Sequence, residues 1–175
     1  MLKRWLLLKH IKGETMPRKE GTLTIEDAKL VYRNFAGKEG PYNREGDRNF
    51  CVLLTPELAT EMAQDGWNIK TRKAREEGDE PTPYIQVSIG YKVRPPKIVM
   101  ITSRSRTELG ESELEILDWV DIEMADLIIV PYNWNMGGAT GISAYLRSLY
   151  ITVYEDDLER KYAEDVQVPG GEDDD

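Results

Sequence analysis

The stretch Tyr84-Ile85-Gln86-Val87-Ser88-Ile89-Gly90-Tyr91 decides the fold class, because apolar and polar residues alternate along it. A period of two is typical of a β-strand that buries one face and exposes the other. The inward-facing residues are predicted to be Ile85, Val87, Ile89 and Tyr91. The outward-facing residues are predicted to be Tyr84, Gln86 and Ser88.

Further strands are predicted on both sides of this stretch. They cover residues 22–25, 29–35, 48–54, 67–72, 97–102, 126–134 and 150–154. A helix is predicted from Thr55 as N-cap and Pro56 at the first position to a stop at Gly66. Residues 114–126 mix periods, so helix and strand both stay open there. About seven strands and one short helix predict a mainly β barrel or sandwich.

The chain has 175 residues, which suits one domain with a substantial core. We expect residues 1–21 to be a leader or disordered N-terminus, 22–154 the folded domain, and 155–175 a disordered acidic tail. Lys12-Gly13-Glu14 can be encoded by a purine-rich stretch like a ribosome-binding site. This observation predicts Met16 as the true start.

Charge is distributed unevenly along the chain. The formal net charge is −9, but residues 1–28 carry +2, residues 29–106 carry +4 and residues 107–175 carry −15. A mildly basic body followed by a strongly acidic end indicates different partners for the two parts.

Several enzyme classes lack their sequence signatures. No phosphate-binding G-x-x-x-x-G-K-[ST] loop and no G-x-S-x-G elbow occur, and one His with one Cys cannot form a Cys/His zinc site. We therefore expect no enzyme activity, no cofactor and no metal. The lone Cys51 favours a reducing compartment. An acidic cluster leaves a metal-dependent nuclease as an alternative; its residues are Asp118, Asp121, Glu123 and Asp126.

Basic and aromatic residues interleave, as binding of a single strand requires, since cations neutralise phosphates and flat rings stack on bases. The predicted nucleic-acid-binding residues are Tyr32, Arg33, Lys38, Tyr42, Arg44, Arg48, Phe50, Trp67, Lys70, Arg72 and Arg94. Tyr42 is the best stacking candidate, because it lies among turn formers in a long loop expected to be mobile. Trp119 and Trp134, in apolar surroundings, are predicted to be core residues.

Residues 33–52, RNFAGKEGPYNREGDRNFCV, resemble bacteriophage single-stranded DNA-binding proteins with an oligonucleotide/oligosaccharide-binding (OB) barrel. The resemblance continues through residues 65–70, 95–98 and 126–134, and it covers most of residues 22–154. It implies an OB-like five-stranded barrel with extra strands, and a DNA cleft formed by loops and one sheet face.

The resemblance also implies a function, which is sequence-independent binding and protection of single-stranded DNA during phage replication and recombination in the host cytoplasm. In such proteins an acidic tail docks replication and recombination proteins. Here the tail ends in Asp175 without an apolar anchor, which favours an electrostatic role in the cleft. No membrane partner is expected, and a homodimer is possible. A structural phage accessory β domain is a further alternative.

Overall fold

The computed structural model describes residues 21–73, 76–92 and 94–154. Within them the strands are β1 (Leu23–Ile25), β2 (Lys29–Asn34), β3 (Arg48–Leu53), β4 (Ile69–Arg72), β5 (Thr82–Ile89), β6 (Lys97–Ile101), β7 (Arg106–Glu108), β8 (Ile122–Met136) and β9 (Ala139–Val153). Helix α1 spans Pro56–Gln64, and a 3₁₀ helix spans Glu111–Asp118. No helix in these ranges is long and apolar enough to cross a membrane.

All nine strands belong to one sheet, whose main path runs β1-β8-β9-β5-β3-β2. The β5–β9 pair is parallel and the other pairs on this path are antiparallel. The path ends at β1 and β2, which are consecutive in the chain and separated only by residues 26–28. The main path is therefore that of an open sheet whose two end strands are joined by a short connection, and closure into an OB-like five-stranded barrel stays a prediction. The prediction of a mainly β fold is confirmed.

Three strands lie off the main path. Strand β4 pairs with β5, β6 pairs with β9, and β7 pairs with β6. Strands β4 and β9 share one edge of β5, because β4 pairs with residues 82–85 and β9 with residues 87–88. Strand β5 therefore pairs with β3 along one edge and with β4 and β9 along the other.

The alternation along β5 is confirmed. The side chains of Ile85, Val87 and Ile89 are at most 6% exposed, and they lie in the main hydrophobic core. Phe50 on β3 lies opposite Val87 and is fully buried. Its ring stacks on Phe35 with centroids 5.1 Å apart and planes 13° apart.

Helix α1 begins and ends where the sequence predicts. The Thr55 Oγ1 atom accepts a hydrogen bond from the Leu58 backbone N–H at 3.2 Å, and Pro56 occupies the first turn. The buried face comprises Leu58, Ala59 and Met62. Gly66 follows the helix with a φ of 99°, a left-handed conformation that favours glycine.

Residues 114–126 belong to two elements, the 3₁₀ helix and the start of β8, which explains their mixed period. In the 3₁₀ helix, side chains three residues apart line up. Leu114 and Leu117 therefore both point into the core, whereas Ile116 and Trp119 both point outward. Trp119 is 71% exposed, so its predicted place in the core is wrong. Trp134 is half-buried in β8 and lies outside the main core.

Candidate nucleic-acid interface

The pairing registers of β3, β4 and β5 show which side chains lie on the outer face of the sheet, the face turned away from Phe50 and Val87. Gln86 lies opposite Cys51, and Tyr84 lies opposite both Leu53 on one side and Lys70 on the other. Directly paired residues point to the same side of a sheet. These residues therefore share the face opposite Phe50 and Val87. We call the part of this face formed by Tyr32, Lys70, Arg72, Tyr84 and Gln86 the stacking face.

Tyr32 has an unusual backbone conformation for a bulky residue in a strand. Its φ is 50°, and it lies where the register between β2 and β3 shifts. A non-glycine residue in this region costs about 1–3 kcal/mol, and such strain concentrates at functional sites. The ring is 53% exposed. It meets the Tyr84 ring edge to face, with centroids 6.0 Å apart.

Two cations accompany these rings. The Arg72 guanidinium lies 5.5 Å from the Tyr32 ring centroid, within cation–π range. The Lys70 Nζ donates a hydrogen bond to the Gln86 Oε1 at 3.5 Å. The stacking face thus combines the exposed Tyr32 ring and the half-buried Tyr84 ring with positive charge.

Burial keeps the neighbouring Cys51 thiol neutral. It raises the pKa of Cys51 from 9.0 to about 11, and the nearby Lys70 charge offsets part of this shift. Burial also raises the pKa of Tyr84, with smaller contributions from Cys51 and Tyr32. At neutral pH these groups add no negative charge beside Lys70 and Arg72.

Two predicted stacking residues are corrected by the structure. Phe50 is fully buried, because the alternation of β3 turns it inward onto Phe35. Trp67 is only 6% exposed, since it follows α1 directly and joins the core. Neither ring is open to a base in this structure.

Two predicted phosphate-binding residues, Arg33 on β2 and Arg48 on β3, instead contact the 3₁₀ helix and the residues beside it. The Arg33 Nη1 donates hydrogen bonds to the carbonyls of Leu117 and Val120 at 2.9 and 2.8 Å. The Arg48 Nη1 donates to the Phe35 carbonyl at 2.6 Å.

Arg48 and Lys38 are further occupied by local charges and rings. Arg48 also pairs with Glu111 at 3.7 Å. Lys38 lies 3.9 Å from Glu115 and over the Trp119 ring. Arg33 and Arg48 therefore hold the fold together, whereas the Lys38 side chain is exposed and its role in DNA binding stays a prediction.

The three remaining predicted residues lie in loops and not on the strands that form the stacking face. Tyr42 is fully exposed in the β2–β3 loop, and Arg44 in the same loop pairs with Asp47 at 3.6 Å. The loop is organised rather than loose, because the Asn43 Nδ2 donates to the carbonyls of Lys38 and Asp47 at 2.9 Å. Arg94 is exposed between β5 and β6. Roles for Tyr42, Arg44 and Arg94 stay predictions.

The acidic cluster does not form a metal site. Both Asp118 oxygens accept backbone hydrogen bonds, from Phe35 at 2.7 Å and Ala36 at 3.1 Å. The Asp126 Oδ1 accepts from the Asp27 N–H at 2.8 Å. Across the part of the chain that the structure describes, no three His, Cys, Asp or Glu side chains are grouped to hold a metal ion.

Most of the chain matches one protein family. Residues 14–174 match the family described as "Putative phage ssDNA-binding domain". The chain belongs to this phage ssDNA-binding family. Because the match spans most of the chain, the predicted resemblance is confirmed. No curated protein matches the chain.

Solved structures of a phage ssDNA-binding protein share the fold. The single-stranded DNA-binding protein from bacteriophage Enc34 in complex with ssDNA matches with a TM-score of 0.53 and 13% identity, covering 79% of this chain and 89% of that chain. Another structure of the single-stranded DNA-binding protein from bacteriophage Enc34 gives a TM-score of 0.52 and 13% identity, covering 79% of this chain and 84% of that chain. The gp2.5 protein of bacteriophage T7 gives a lower TM-score of 0.35 and 12% identity, covering 87% and 98%.

Sequence reasoning missed three tyrosines on the outer face of this phage ssDNA-binding domain. Alternation predicts that Tyr84 faces outward, but it gives no reason to assign the ring to the site. Tyr145 lies opposite Ser88, and its ring meets that of Tyr132 edge to face, with centroids 5.8 Å apart. The alternation within β8 and β9 could have found both. Their closeness to β5 could not be found, because it depends on the β5–β9 pairing.

Proposed function

We propose that this protein binds single-stranded DNA without sequence preference and that the stacking face makes the central contacts. The observation that carries the proposal is the exposed Tyr32 ring, held against Tyr84 and beside Arg72 by a strained backbone. Membership of the phage ssDNA-binding family supports this assignment of ligand.

The chemistry of the stacking face explains why sequence would matter little. Base–aromatic stacking contributes about 1–3 kcal/mol per base, and every base offers a flat face. Tyr32 and Tyr84 supply the rings, while Lys70 and Arg72 neutralise adjacent phosphates. Bases in a duplex already stack on each other, so the rings reach only the bases of a single strand. The site therefore favours single strands over duplex.

We infer that binding is not coupled to catalysis. Asp118 and Asp126 are committed to backbone hydrogen bonds, which disfavours the nuclease alternative. No observation on the described residues favours the structural accessory alternative. We place the protein in the host cytoplasm, protecting single strands during phage replication and recombination. Docking of replication proteins by residues 155–175 and a homodimer also stay proposals, and that tail lies outside the described residues.

A fluorescence anisotropy titration with labelled oligo-dT tests the proposal. We expect tight binding at low salt, with log K falling linearly as log salt rises. The double variant Lys70→Ala/Arg72→Ala should reduce that slope by about 0.7 for each phosphate that is no longer neutralised. Lys97→Ala, an exposed lysine on β6, is the matched control and should leave the slope unchanged.

Two results would overturn the proposal. One is the absence of oligo-dT binding at low salt, both for the full chain and for a variant lacking residues 155–175. The other is an unchanged slope in Lys70→Ala/Arg72→Ala. Incubation of the same oligonucleotide with magnesium checks the nuclease alternative, and we expect the DNA to stay intact.

A further inference from the structure

The end of β8 and the start of β9 form a hairpin. We call residues 131–142 of this hairpin the arm. Residues 133–136 of the arm pair with residues 139–142, and Pro131 and Tyr132 pair with the next residues of β9, Ala144 and Ser143. The Trp67–Ile142 bridge joins the base of the arm to the end of α1. The Asn68 N–H donates to the Ile142 carbonyl at 2.9 Å, and the Ile142 N–H donates to the Gly66 carbonyl at 3.1 Å. The base of the arm is therefore held in place while its far part is exposed.

One face of the arm is aromatic and continues the outer face of the sheet. Tyr132 and Trp134 alternate along β8 on the side that also carries Tyr145, because Val130 lies opposite Tyr145. Tyr132 is 58% exposed and Tyr145 is 37% exposed. Met136, next on the same side, is 75% exposed.

The place of Trp134 depends on a glycine in the opposite strand. Gly141 lies directly across from Trp134, and a Cβ atom there would lie 2.4 Å from the indole Cζ2. The indole therefore packs against the backbone at Gly141, in space that any side chain at position 141 would occupy. A ring held in place in this way is ready to stack with little further ordering.

The arm has no charge to contribute. Residues 131–146 contain no Asp, Glu, Lys or Arg. Any affinity of this surface for DNA must therefore come from stacking and apolar contact, which salt screens little. The stacking face differs, because it carries Lys70 and Arg72.

We propose that Tyr145, Tyr132 and Trp134 form a second stacking site for the same single strand, reached only by longer oligonucleotides. The proposal rests on the proposed function. Ser88, four residues beyond Tyr84 and about 13 Å further along β5, lies opposite Tyr145. A short oligonucleotide occupies the stacking face alone, whereas a longer one continues onto the arm.

The test is a length series of oligo-dT, from about 4 to about 16 nucleotides, titrated against the full chain and Tyr132→Ala/Tyr145→Ala. We expect equal affinities for the shortest oligonucleotides and a loss of about 10-fold or more for the longest, as removal of stacked bases implies. The slope of log K against log salt should stay unchanged. Tyr132→Phe/Tyr145→Phe should keep most of the affinity. Trp119→Ala removes an exposed ring elsewhere and is the matched control.

Three outcomes would overturn the second site: no loss at any length, the same loss at every length, or a reduced salt slope. A dimer in size-exclusion chromatography that Tyr132→Ala/Tyr145→Ala dissociates, with DNA affinity retained, would assign the arm to self-association instead. If the unmodified chain binds no oligo-dT, the proposed function itself fails. If it binds and only the length-dependent loss is missing, the arm proposal fails alone.

Discussion

The Asp118 carboxylate accepts a hydrogen bond from the Phe35 backbone N–H at 2.7 Å, and from the Ala36 N–H at 3.1 Å. It thereby joins the end of the 3₁₀ helix to the end of β2. Hydrogen bonds to an ionised acceptor are about twice as strong as neutral ones. A residue that the sequence offered as a metal ligand is thus a structural anchor.

Removing this anchor should lower stability without affecting DNA binding. Asp118→Ala leaves two backbone N–H groups without their acceptor, so we expect the free energy of unfolding to fall by about 1–3 kcal/mol. Urea denaturation measures the change. Asp121→Ala, an exposed carboxylate nearby, is the control and should change stability by less than about 0.5 kcal/mol. Equal effects of the two substitutions would contradict the anchoring role.

Phe50 should matter for stability and not for DNA affinity. Phe50→Ala opens a cavity beside Phe35 in a fully buried site, so we expect a loss of about 3–5 kcal/mol. Phe50→Leu keeps most of the volume and gives a protein that can be titrated with oligo-dT. Its affinity should equal that of the unmodified chain. A clear loss of affinity in folded Phe50→Leu would restore the stacking role that the sequence predicted.

We expect the free energy of unfolding to fall in alkaline solution because of the raised pKa of the Cys51 thiol. Because burial raises the pKa of the folded thiol from 9.0 to about 11, the folded state retains a proton that the unfolded state loses between these values. This contribution to stability is full below pH 9 and is lost as the pH rises towards 11. Urea denaturation from pH 8 to pH 11, compared between the unmodified chain and Cys51→Ala, isolates it. Parallel curves for the two proteins would refute the shift.

Gly141→Ala should displace the Trp134 ring. The new Cβ would lie 2.4 Å from the indole, closer than carbon atoms approach. We expect a changed near-ultraviolet circular dichroism spectrum and a weaker affinity for long oligo-dT only. Gly40→Ala is the matched control, because no atom beyond its two chain neighbours lies within 4 Å of its Cβ position. An unchanged spectrum in Gly141→Ala would show that the indole has another place to lie.

Local patterns predicted the elements of this protein well. The alternation along β5, the Thr55 cap with Pro56, and the stop at Gly66 each depend on neighbours within a few residues, and each is confirmed. Residues 114–126 allow both helix and strand because a three-residue period passes into a two-residue period there. The apolar neighbours of Trp119 predict a core position, although the 3₁₀ geometry directs Leu117 inward instead.

The sequence by itself determined the helix, most of the strands, the uneven charge and the resemblance to phage ssDNA-binding proteins, because these follow from residue type and order. It did not predict β7 or the first part of β9. Only the tertiary structure decided which rings and cations share a surface. The register shift between β2 and β3 brings Tyr32 to Tyr84, and the β4–β5 pairing brings Arg72 to the same face. Arg33 and Arg48 instead donate hydrogen bonds to backbone carbonyls. Such contacts depend on pairing between distant segments, so residue spacing along the chain does not predict them.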